Sequence, residues 1–418
     1  MRRTIGALCL VGLLLSTAPA VAASTFVKGE TVSLSVGTLS TSYRAYWVSS
    51  KDGYLGYGNP FKIATLSLGL HTITVYIYRT SDWVLVYKGS GSVEIVAPAP
   101  APTPTPTPTP TPAPTTGLTY APGEFEEVKL LLLGCPDTYM VSDIYPQFLA
   151  GIRGVCPTRI YVDNDYVRYD LVDLFNQAGV GNTDHSYVTA PVDTIWIRDY
   201  GPLFMKNQGR LEVVDLQYYP GRDNDDAIPG VVARADGYPV RPLSLYWEGG
   251  NYTSDGQGNT WSTNWLYGAN TNYTQSQVNS KVSQAFTGKH NTLEYQLNDG
   301  GTRHLDMFAS WVGPTRVILS RFPAGHQNYD RMERNATKLR GMGYTLTRID
   351  QADSGYSSHA NSILVNKVAF VPTYGNATTD AAALTAYQGA GYRAIGVDCR
   401  RIIQWSGAVH CITITVPR

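Results

Sequence analysis

The sequence predicts an α/β catalytic domain set behind a small all-β module, and three observations carry that prediction. A spacer of proline and threonine divides the chain. Ahead of it, apolar and polar residues alternate with the period of two that half-buried strands require. Beyond it, short strand patterns alternate with amphipathic helical ones, the mark of an α/β domain.

Residues 1–23 carry two arginines, an apolar run from Ile5 to Leu15 and the small residues Ala20, Ala22 and Ala23, the layout of a cleaved secretory signal. Cys9 would leave with it. The run is too short to span a bilayer, and no later stretch reaches about eighteen uninterrupted apolar residues, so a soluble secreted or periplasmic protein is expected. Residues 24–96 contain VSLSV, YRAYWVSS, FKIATLSL, HTITVYIY and VLVYKG, broken by Gly, Asn, Ser and Asp. This is the pattern of an antiparallel sandwich. The stretch resembles the immunoglobulin-like modules of bacterial surface and secreted enzymes, which implies spacing or contact with a cell surface or extracellular polymer. Residues 97–116, APAPAPTPTPTPTPTPAPTT, hold no core-forming side chain and should populate polyproline II.

From 117 to 418 the strand candidates are VKLLLLG, RIYVDN, TIWIRD, LEVVDLQYY, MFASWVG, RVILSRF, SILVNKVAFVP and VHCITITV. The helix candidates are DIYPQFLAGI, YDLVDLFNQA, TQSQVNSKVSQAF, DRMERNATKLRGMG and DAAALTAYQGA. No glycine fingerprint stands where a strand would meet a helix, so a nucleotide cofactor is not expected. Lysine plus arginine equal aspartate plus glutamate at 33 each, which gives no electrostatic case for nucleic acid as a partner. Of the cysteines after the leader, Cys135 and Cys156 could be bridged or free, and Cys399 and Cys411 show no framework spacing. The acidic run Asp223, Asn224, Asp225, Asp226 reads as a solvated loop ahead of a calcium site.

Four islands carry chemistry: IWIRDYGP at 195–202, WEGGN at 247–251, RHLDMF at 303–308 and SGAVHCIT at 406–413. On a strand, Trp196 and Arg198 share a face, while Asp199 falls where Gly201 and Pro202 turn the chain. A fixed carboxylate there can take two N–H bonds from a planar guanidinium, and a tryptophan face can stack on the cation. His304 and Asp306 are two apart and so project to one side of a strand, suiting an acid–base pair. Strand parity sets Cys411 opposite His410, making His304 the better partner for the thiol.

In this order the islands resemble the agmatine deiminase and bacterial peptidylarginine deiminase family of guanidino-modifying enzymes, over essentially all of residues 118–418. The resemblance implies a five-bladed pseudo-propeller of ββαβ units, the pentein fold, with the site on its axis and without metal or other cofactor. It implies catalytic roles for Cys411 as nucleophile, His304 as acid and base, and Asp199 and Asp306 as guanidinium holders. Trp196, Arg198, Arg222, Glu248, Asn251 and Asn361 are the substrate-binding candidates, with Glu248 expected to orient the histidine. In the peptidyl enzymes two arginines after the RDYGP island receive a C-terminal carboxylate. Here Arg222 matches the second and Pro220 stands at the first. The expected partners are therefore arginine-containing peptides or proteins, with agmatine or another small guanidino compound as the alternative. A binding protein on a catalytically dead fold is a third reading, opposed by the intact quartet.

Overall fold

The computed structural model describes residues 24–80, 84–97, 119–181, 183–352 and 356–418, with the backbone alone of Ala7–Cys9. The leader reading and nearly all of the spacer reading fall outside these residues. The chain divides into two compact units, Met1–Pro112 with Tyr169–Asn182, and Ala113–Arg168 with Thr183–Arg418. The segment from Tyr169 to Asn182 thus groups with the first unit, where the sequence reading had placed it in the second. No helix among the described residues is long and apolar enough to cross a membrane.

In the first unit, Gly69–Arg79 points His71, Ile73, Val75 and Ile77 inward at every second residue. It pairs antiparallel with Tyr43–Ser49 and with Leu85–Val96. A five-stranded sheet results, closed at one edge by a parallel pairing of Ser24–Val27 with Leu85–Val96, a departure from the all-antiparallel expectation. Val32 and Leu34 come from a second small sheet and share one core with Trp47, Val75 and Val93. Of the expected strand FKIATLSL, only Phe61–Ile63 is extended.

The second unit is built from five separate sheets. In four of them a two-stranded antiparallel hairpin leads through a helix to a third strand that pairs in parallel with the hairpin's second strand. These are the sheets of Leu203–Asn207, Thr253–Ser254, Ala309–Gly313 and Ile363–Val365, each named by its opening strand. The remaining sheet opens with the C-terminal Ile414–Pro417, antiparallel to Val128–Cys135, which pairs in parallel with Thr158–Val162 as in the others, and it adds a fourth parallel strand, His185–Thr189. No closed sheet is present among the described residues.

Packing links these sheets in sequence. Leu132 and Ile414 of the first sheet share a core with Phe204 and Val213 of the second. The second shares Leu203, Val214 and Trp247 with the third sheet's helix Gln275–Phe286. That helix starts in a capping box of Thr274 and Gln277 and buries Val278, Val282, Ala285 and Phe286, the i, i+4, i+7, i+8 stripe of an amphipathic helix. Trp261 meets Phe308, and Ile318 meets Ala369, continuing the series. Phe148 of the first sheet's helix packs 5.3 Å from Phe370 of the fifth sheet.

The acidic run is not a loop; it is the first turn of the helix Asp223–Asp236, which the sequence reading missed because Pro229 interrupts the pattern. Loss of a helical N–H at an interior proline costs about 3 kcal/mol. Full burial of Ile228 and Val232, roughly 1.5 to 3 kcal/mol each, offsets it. Asp225 accepts the backbone N–H groups of Asp193 and Thr194 at 2.8 and 3.2 Å and the Thr194 hydroxyl at 2.8 Å. This anchors the segment that leads into Asp199. No disulfide joins Cys135, Cys156, Cys399 or Cys411, so the Cys135–Cys156 bridge is not formed.

Candidate active site

Each sheet of the second unit opens two to four residues after a residue of the site: Asp199 precedes Leu203, Gly250 precedes Thr253, Asp306 precedes Ala309, Asn361 precedes Ile363, and Cys411 precedes Ile414. The site is therefore assembled from five equivalent turns. Three of these turns were expected to be strand. Ile197–Tyr200 is instead one helical turn, closed by Gly201 N–H donating to the Ile197 carbonyl at 2.7 Å. Residues 303–308 are irregular, with Arg303 at φ 59°, and the C-terminal strand begins only at Ile414. The turns free His304, Asp306, His410 and Cys411 from strand parity, so His410 and Cys411 converge where alternation would have parted them.

Asp306 is the hub. Its Oδ2 lies 2.7 Å from His410 Nδ1 and 3.8 Å from the Cys411 sulfur. Its Oδ1 lies 4.0 Å from His304 Nδ1 and has no hydrogen-bond partner, although it is fully buried. His304 Nδ1 stands 3.6 Å from Asp199 Oδ1, and Nε2 stands 3.1 Å from Glu248 Oε2, out of line for a hydrogen bond. Tyr219 donates to Glu248 Oε1 at 2.5 Å. Asn361 accepts the His410 N–H through Oδ1 at 3.0 Å, which fixes its amide so that Nδ2 faces the Cys411 sulfur at 3.2 Å. Gly250 donates to Asp199 Oδ1 at 3.3 Å and accepts from Asp306 N–H at 3.1 Å.

Charge follows from this geometry. Burial alone would lower His304, but Glu248, Asp199 and Asp306 override it and raise the imidazole to about 10. Burial raises Asp199 to about 7, with Glu248 and Asp306 adding to the rise and His304 opposing it. Burial, then Asp306 and Asp199, push the Cys411 thiol well above its usual value. In the free protein Cys411 is therefore a thiol beside an imidazolium held among carboxylates. A cation entering between Asp199 and Asp306 reverses that field and favours the thiolate. We predict that kcat/KM for a guanidino substrate rises with pH through about 7, as Asp199 ionises, and falls above about 10, as His304 loses its proton. An optimum near pH 5 in the pH–rate profile would contradict this.

Six expected residues come together: Cys411, His304, Asp306, Asp199, Glu248 and Asn361. The others stand elsewhere. Arg198 is buried with its guanidinium 2.7 Å from Glu124 and 3.4 Å from the His410 carbonyl, so it braces the site from behind and does not offer itself to substrate. Asn251 is buried, accepting the Thr263 N–H at 2.7 Å, and fixes the WEGGN turn. Trp196 packs on Gly407, where a Cβ would come within 2.3 Å of the ring, and so supports the turn before the nucleophile. Arg222 is exposed at the start of the helix Asp223–Asp236. Glu124, Gly250, Tyr219 and His410 were not expected in the site. A parity that the turn does not obey hid His410, and nothing local marks Glu124.

Asp199, Glu248 and His304 offer ligand atoms within 4.8 Å of one another, the spacing of a metal site. An imidazole held as a cation suits that role poorly. The unpaired acceptors instead suit a planar cation, and a thiol beside them can attack its carbon; the class is that of thiol hydrolases that deiminate guanidino groups. Residues 121–417 match the family model of the Porphyromonas-type peptidyl-arginine deiminases, and the chain belongs to that family. A curated relative from Vibrio parahaemolyticus, described as a "Putative agmatine deiminase", is 23% identical over 359 residues, 71% of this chain and 96% of the relative. The solved agmatine deiminase of C. jejuni superposes with a TM-score of 0.63 at 18% identity, covering 72% of this chain and 96% of its own. A Porphyromonas gingivalis structure described as a "Putative Arginine Deiminase" gives 0.63 at 19% identity, covering 72% and 99%. At such identities the structures establish the shared fold.

Proposed function

We propose that the protein hydrolyses the guanidinium of a small guanidino amine of the agmatine kind to a ureido group and ammonia. The observation that carries the deimination is the pair of buried, partnerless atoms, Asp306 Oδ1 and His304 Nδ1, beside the free Cys411 thiol. Asp199 and Asp306 hold the guanidinium planar. The bound cation drives the Cys411 thiol to release its proton to solvent, the thiolate adds to the central carbon, His304 donates its proton to the departing nitrogen, and ammonia leaves a thiouronium on Cys411. The neutral imidazole then takes a proton from water as its oxygen attacks that carbon, and the thiol departs from the ureido product.

The names of the relatives support an amine substrate, and so does Arg222, which is exposed and lacks a second arginine at position 220. The sequence reading had favoured peptidyl-arginine. That reading stays second, supported by the family model's description. Comparing kcat/KM on agmatine, free arginine and peptides ending in arginine tests the order, with agmatine expected highest. Arg222→Ala is expected to leave agmatine turnover nearly unchanged. If a C-terminal arginine peptide is the best substrate, and Arg222→Ala cuts its kcat/KM by about ten- to a hundredfold, the amine reading falls and the peptidyl one replaces it.

We read the five sheets as blades of a pseudo-propeller around the site, which their common strand order and serial packing support. We read the two sheets of the first unit as an immunoglobulin-like spacer, and the N-terminal leader as an export signal that places the activity outside the cytoplasm.

A further inference from the structure

Behind Asp306 lies a second set of buried polar groups that the chemistry above does not use. His410 is fully enclosed between two carboxylates: Nδ1 meets Asp306 Oδ2 at 2.7 Å, and Nε2 meets Glu124 Oε1 and Oε2 at 3.1 and 3.2 Å. Glu124 in turn accepts from Arg198 Nη2 at 2.7 Å. The charges alternate along one line, from Asp306 through His410 and Glu124 to Arg198. A neutral imidazole has one N–H and could donate to only one of its two carboxylates, so this geometry calls for the doubly protonated ring. The far end of the line borders a cavity of about 60 Å³, room for a few waters, lined by Glu124, Arg198, His410 and Asp306 but not by Cys411, His304, Asp199 or Glu248.

We propose that Glu124 and His410 are positioning residues of the deiminase centre, fixing Asp306 with Oδ2 occupied and Oδ1 free for the substrate. The directed His410 N–H at 2.7 Å keeps the Asp306 carboxylate from rotating Oδ2 toward the guanidinium. His410 itself needs a second anion, because Arg198 stands close enough to disfavour its charge, and Glu124 supplies that anion while pairing with Arg198. The charged and titratable groups facing His410 are thus Asp306, Glu124, Arg198 and Cys411.

The proposal rests on the deiminase reading, and its test has one arm that does not need turnover. Glu124→Gln is expected to raise KM for the guanidino substrate about tenfold, with kcat changed much less. Glu124→Asp should undo part of that rise. A loss confined to kcat would overturn the proposal. In the wild-type, substrate-free protein, nitrogen-15 NMR of the His410 ring at pH 7 should show both nitrogens protonated; a neutral ring overturns the proposal even if Glu124→Gln does not fold. Should no guanidino compound be turned over, the deiminase reading fails, while the NMR result still decides the state of His410.

Discussion

Replacing Cys411 by alanine is expected to lower ureido formation by about 10⁴-fold or more while leaving the protein folded. In the proposed mechanism the sulfur is the nucleophile, and none of the other cysteines can replace it: Cys135, Cys156 and Cys399 are buried outside the cluster around Asp306. The fold should tolerate the change, because the removed sulfur makes only weak side-chain contacts, with Asn361 at 3.2 Å and Asp306 at 3.8 Å, and its loss separates a thiol from a carboxylate. A haloacetamidine, which carries the same planar cation, should label Cys411 in the wild type and leave the alanine variant unmodified. Circular dichroism and the melting temperature separate lost chemistry from lost structure.

Gly250→Ala is expected to lower kcat/KM by about a hundredfold or more, although a single methyl group is added. An ideal Cβ at this position lies 2.6 Å from His304 Nδ1, 2.8 Å from Asp199 Oδ1 and 3.1 Å from Asp306 Oδ2. Real Cβ contacts avoid such distances, so the acid–base residue and a guanidinium holder must both move, and misplacement by about 1 Å carries that order of loss. Overpacking should cost stability as well, about 1 to 3 kcal/mol. Gly341→Ala is the control, since a Cβ there meets nothing within 4 Å and the backbone is helical. Equal activity of the two variants in the same assay would show that the WEGGN turn does not border the reacting groups.

The α/β class and all five expected helices were legible because each depends on local period and on caps, as with Thr274 and Gln277 ahead of Val278. The helix Asp223–Asp236 was not legible, because Pro229 breaks the local rule and its support comes from Asp225 bonding to residues 31 and 32 positions earlier. In the site, Cys411, His304, Asp306 and Asp199 could be named from ordered islands, whereas their mutual geometry could not. Parity arguments failed at 195–200, 303–308 and 406–413 for one physical reason: each segment is a turn whose hydrogen bonds go to distant residues. Arg198 bonding to Glu124 and His410 bonding to Asn361 are examples. Arg198 and Asn251 were misassigned for the same reason, since polar residues in a charged island look alike whether they face the ligand or the turn behind it.

The central claim is that Cys411 attacks a guanidinium carbon and carries the amidine during turnover. Acid-quenching the protein while it consumes agmatine, then digesting it for peptide mass spectrometry, tests this most directly. The account predicts an amidino adduct on Cys411 that appears with substrate, disappears as ureido product accumulates, and is missing in Cys411→Ala. Steady ureido formation with Cys411 unmodified under conditions that trap the intermediate, or ureido formation by the alanine variant, would contradict it.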